Sequence, residues 1–146
     1  MNRILTFSLF FGVFFLVYFG MHFYVFTRVA QIFSIDKGWV FYLVMALFAL
    51  SFPVMSIIER AVNGIVSKVF YTASAVWLGA LFLLFCSMLV YEIVNIISRF
   101  AKLDLSLTLG IGKILVALAI IIAIYGVINA MYVNVKEITV TIKNLD

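Results

Sequence analysis

Four apolar runs, flanked by segments that hold most of the charge, organise this chain. A bilayer core about 30 Å thick is crossed by about 20 residues of helix, and each run is long enough. The first extends from Ile4 to Phe26. It lacks the short apolar core and small-residue cleavage site of a secretory leader, so it reads as a retained helix. The second extends from Gly38 to about Val62 and contains Pro53, which removes one backbone donor and predicts a kink. The third, about Val66 to Ile97, is long enough to tilt in the membrane or extend past it. The fourth, Ile114 to Val133, holds Asn129 as its clearly polar residue. The expected fold is an all-α membrane protein, a four-transmembrane-helix bundle over residues 1–135.

The pattern changes after residue 135. Ile138, Val140 and Ile142 alternate with Glu137, Thr139, Thr141 and Lys143, the period-two pattern of a strand rich in β-branched residues. A lone strand is not stable in water. One other stretch alternates, Leu103 to Leu109, but it joins the third and fourth helices and so lies across the membrane from the tail. Residues 136–146 are therefore expected to pair with a β-rich partner, to stay unpaired, or to open a soluble domain that this sequence does not contain.

Composition agrees with the runs. Of the 146 residues, 67% are hydrophobic and 11% charged, well below the charge of a soluble domain. Ten Lys and Arg against six Asp and Glu are dispersed between the runs, which suits lipid headgroups and gives no clustered face for nucleic acid. The lone cysteine, Cys86, sits in an apolar run and reads as a small filler. Four crossings place both termini on one side of a cell membrane. The flanking Lys and Arg divide evenly between the two sides, so the positive-inside bias selects no orientation.

Helices in lipid approach through small side chains. Ala119, Ala123, Gly126 and Ala130 share one face of the fourth helix, and Ser8 and Gly12 share one face of the first. Both stripes are expected to pack, and self-association through them is open. Trp39 and Tyr42 are expected interfacial anchors. Three ionisable groups fall toward the membrane face opposite the termini: His22, Glu92 and Lys113. Charge inside a membrane is costly and usually paired. Lys113 is the expected partner of Glu92, with Arg99, on the same helix face as Glu92, as the alternative. Gly110 to Lys113 lacks the spacing of a phosphate loop.

Several segments resemble the N-terminal membrane region of multi-pass, calcineurin-like metallophosphoesterases: "HFYVFTRV", "LSFPVMSIIER", "AVWLGALFLL" and "YGVINAMYVNVKEITVTIKNLD". In that family a segment like the last leaves the final helix and forms the first strand of the catalytic domain. Leu145 and Asp146 look like the start of the turn that follows. The resemblance implies a hydrolase with two divalent metal ions in a further C-terminal domain. None of the family's Asp-x-His, Gly-Asp or Gly-Asn-His-Glu motifs appears here, so no catalytic or metal-binding residue carries over. The chain by itself then reads as a non-catalytic membrane anchor without a cofactor. The alternatives are a stand-alone four-helix subunit of a membrane complex and a small transporter or channel subunit using Glu92.

Overall fold

In the computed structural model, which describes residues 3–62, 64–101 and 104–132, the chain forms four helices. They are α1 (Arg3–Ile32), α2 (Trp39–Ala61), α3 (Ile65–Phe100) and α4 (Leu105–Met131). All four are long and apolar enough to cross a membrane. The tail at 136–146 lies outside the described residues.

α1 and α4 run furthest past the bounds that hydropathy predicts. α1 runs on through Ile32, and α4 begins at Leu105. Hydropathy marks where lipid ends, whereas a helix ends where the backbone breaks. At α1 the break is Ser34, in the left-handed region at φ 54°. The Ile35 N–H then reaches back to the Ala30 carbonyl at 2.8 Å, a Schellman-type closure with serine where glycine is usual. The alternating stretch up to Leu109 is therefore helical from Leu105, with Thr108 buried on its inner face. Between α2 and α3, the Ser67 hydroxyl holds a short turn. It donates to the Val62 carbonyl at 2.6 Å and accepts from the Gly64 N–H at 3.2 Å.

The helices run alternately up and down, and α3 is the central strut. It packs against α1, α2 and α4, while α2 and α4 do not meet among the described residues. Its buried positions Ser67, Ser74, Leu81 and Met88 recur every seven residues, which keeps one stripe facing inward.

Packing is densest where α1 ends and α4 begins. Ile32, Met88, Tyr91 and Val116 form the core there, with Tyr24, Val29, Leu84 and Leu115 against it. Gly112 permits this approach: a Cβ at that position would lie 2.8 Å from Tyr91 Cε2 and 3.1 Å from Ile32 Cδ1. The opposite end is open. Residues 5–17 of α1 are exposed throughout, Ser8 and Gly12 included. On α4, Ala119 is buried and Ala123 half-buried, but Gly126 and Ala130 are exposed. The packing stripe of α4 is thus Thr108, Gly112, Val116, Ala119 and Ala123, shifted toward the helix start from the predicted one.

Glycines in the two settings should respond differently. Gly112→Ala should destabilise the bundle by about 1–3 kcal/mol through overpacking against Tyr91. Gly79→Ala on α3 enters open space and should be neutral or stabilising by up to about 1 kcal/mol. Reversible unfolding in mixed detergent micelles measures both.

Candidate functional site

Two polar clusters lie along the seam between α1 and α3. The first begins with Pro53. Proline has no N–H, so the carbonyl four residues earlier, that of Ala49, loses its helical donor. The Tyr18 hydroxyl replaces it, donating to Ala49 O at 2.9 Å from the facing helix α1. Water is not available at this depth to satisfy a freed carbonyl, so the replacement comes from within the bundle.

The same turn of α1 carries His22, which is 1% exposed. Its Nδ1 lies 2.9 Å from the Tyr18 carbonyl, and its Nε2 lies 3.4 Å from Trp77 Nε1 on α3. A carbonyl only accepts and an indole N–H only donates. Nδ1 therefore carries the hydrogen and Nε2 accepts, a neutral imidazole with both ring nitrogens used. The Tyr18 and His22 rings lie 4.6 Å apart, and Phe48 of α2 packs on Trp77 at 4.5 Å. These contacts join three helices around one histidine.

The second cluster sits nearer the closed end. Arg28 forms an ion pair with Glu92, and both side chains are largely buried, at 32% and 24% exposure. The Tyr24 hydroxyl donates to Glu92 Oε1 at 3.3 Å, and the Arg28 guanidinium donates to Gln31 Oε1 at 2.8 Å. Tyr24 and Arg28 are four residues apart on α1, so both face α3 together.

The expected pairing of Glu92 is thereby corrected. Its partner is Arg28, while Lys113 and Arg99 are exposed. The expected end of α1 at Phe26 left Arg28 in a loop. Because the helix continues, Arg28 is placed on the inner face. Lys113, next to buried Gly112, points outward from α4. His22 and Glu92 fall in separate clusters, not one. Tyr18, Tyr24 and Arg28 were not singled out from sequence, although Pro53 implied an orphan carbonyl at Ala49 that some donor had to meet.

Other candidates stand as follows. Trp39 and Tyr42 are exposed at the start of α2, as outward anchors require. Trp77 is half-buried and hydrogen-bonded. Cys86 is exposed and fills no interior gap, and Asn129 is exposed on α4. Beside the seam, α1, α2 and α3 enclose an apolar cavity of about 440 Å³ against Phe26, Phe41, Trp77 and Leu84, with Asp36 of the α1–α2 turn also on its wall. Among the described residues, no group of three or more His, Cys, Asp or Glu is placed to hold a metal ion.

The arrangement is that of a multi-pass membrane protein in which Tyr18, His22, Tyr24 and Arg28 of α1 bond to neighbouring helices. The chain matches no family model, no curated protein and no solved structure.

Tyr18→Phe should cost about 1–2 kcal/mol in unfolding experiments by stranding the Ala49 carbonyl. In a Pro53→Ala background the restored N–H takes that role, and the cost of Tyr18→Phe should fall by at least about half. Arg28→Met leaves the Glu92 carboxylate without its cation and should cost about 1–3 kcal/mol. Adding Glu92→Leu should recover part of that loss, because an apolar pair leaves no charge unpaired.

Proposed function

We propose that this four-helix domain is a membrane anchor that tethers a C-terminal metal-dependent phosphoesterase domain at the membrane surface. The observation that carries the anchoring part is the fate of the inner polar groups. His22, Tyr18, Trp77, Tyr24, Arg28 and Glu92 bond α1 to its neighbours. Among the described residues no buried side-chain polar atom is left without a partner. Groups used this way hold helices in register, as a support requires. A conduit using Glu92 would need that carboxylate free to exchange its partner, and Arg28 occupies it.

The sequence supports the head. Residues 136–143 alternate as a strand directly after the last helix, and the segment from Tyr125 resembles the entry to a phosphoesterase domain. The up-and-down order of the helices puts the start of α1 and the end of α4 at the open end of the bundle. The head would then lie against the membrane on that side, where phospholipid or lipid-linked phosphates are within reach. The two metal ions belong to the head.

A second reading is a stand-alone subunit of a membrane complex. The exposure of Ser8, Gly12, Gly126 and Ala130 at the open end favours it, since small exposed residues admit a partner helix.

The natural reading frame distinguishes the two. An open frame past Asp146 that soon encodes Asp-x-His supports the anchor. The corresponding full-length protein should hydrolyse a phosphodiester in the presence of Mn²⁺ and remain with the membrane fraction. A stop codon with no such frame, or a full-length protein without metal-dependent activity, removes the phosphoesterase reading.

A further inference from the structure

The groove between α1 and α2 at the open end has features the anchor reading does not use. It encloses about 290 Å³. One wall is aromatic: Phe11, Phe14 and Phe15 of α1, facing Phe52 of α2. The rings brace one another, with Phe11 and Phe15 at 6.3 Å and Phe14 stacked on Tyr18 at 6.2 Å. The polar part of the lining is concentrated on α2, where Ser56 and Arg60 are four residues apart on one face.

Depth gives the groove a direction. α2 has 23 residues, or about 35 Å of helix, close to the thickness of the hydrocarbon core. With Trp39 at one boundary, Arg60 in the last turn stands at the other. The groove is therefore apolar within the membrane and cationic at its surface. Among the described residues Arg60 forms no ion pair, and its exposed guanidinium brings positive charge to the groove mouth. No carboxylate among the described residues lines the groove; the adjacent Glu59 is not part of its wall.

We propose that this groove binds one anionic phospholipid, its phosphate on Arg60 and Ser56 and an acyl chain along the phenylalanine wall. Arginine presents a planar fork of donors matched to phosphate oxygens, and the Ser56 hydroxyl adds one more. A phospholipid carries its anion above its chain in the same vertical order as Arg60 above Phe14 and Phe52. A net-anionic headgroup is favoured over a zwitterionic one because the lining offers no acid to meet a choline or ethanolamine ammonium. The proposal does not depend on the chain's C-terminal partner.

Native mass spectrometry of the full chain, with phosphatidylglycerol and phosphatidylcholine of matched chains, tests it. The expected result is retention of phosphatidylglycerol about fivefold over phosphatidylcholine, the size of one arginine–headgroup attraction. Arg60→Ala should abolish the preference, and Arg60→Lys should keep part of it. Lys68→Ala, at the same end but outside the groove, should leave it unchanged. Equal retention of the two lipids by the unaltered chain overturns the proposal, as does an undiminished preference in Arg60→Ala. Displacement of the lipid by an equal concentration of inorganic phosphate would assign the site to a free anion and overturn it as well.

Discussion

A backbone carbonyl that loses its helical donor inside a bilayer must find another within the protein, and much of this structure follows from one such case. Pro53 frees the carbonyl of Ala49, and Tyr18 reaches across from α1 to meet it. That contact places the next turn of α1, with His22, against Trp77 of α3. A local defect in α2 thereby becomes a tie between helices. In water the same carbonyl would be solvated and would specify nothing about its neighbours.

The second constraint is steric. Lipid tails are as apolar as leucine, so helices gain little from hiding apolar surface and must fit closely to associate. Gly112 supplies that fit at one end, where Tyr91 and Ile32 occupy the space a side chain would take. Toward the other end the glycines Gly12 and Gly126 have nothing near them, and α1 and α4 are largely exposed. The result is a bundle closed around Met88 and Val116 and open beyond the Pro53 level. The Arg28–Glu92 pair sits beside the closed core, where both helices are already held in place. Ordering two long side chains costs less entropy there than on a mobile surface.

Much of the site escaped sequence reasoning for a definite reason. Hydropathy located the lipid-crossing part of α1 but ended it at Phe26, which removed Arg28 from consideration. Two further helical turns bring Arg28 onto the face of Tyr24, and Glu92 then has a partner on α1 rather than on α4. The small-residue stripe on α4 is buried at Ala119 and half-buried at Ala123. At Gly126 and Ala130 the stripe is exposed within this chain, because periodicity identifies a face and does not say how far along that face a neighbour extends. The Gly110–Lys113 stretch lies within α4, where Gly112 fits closely against Tyr91 and Ile32.

The sequence by itself determined that there are four helices long and apolar enough to span a membrane, that Pro53 frees a carbonyl in the second, and that Glu92 needs a partner. Each of these follows from local chemistry: run length, a missing N–H, a charge in an apolar run. The tertiary structure decided which groups answer those needs: Tyr18 for the Ala49 carbonyl, Trp77 for His22, Arg28 for Glu92. It also decided which end of the bundle closes. Those choices depend on the rotation and depth of one helix against another. Such quantities arise from packing between segments far apart in the chain, and no single run of residues encodes them.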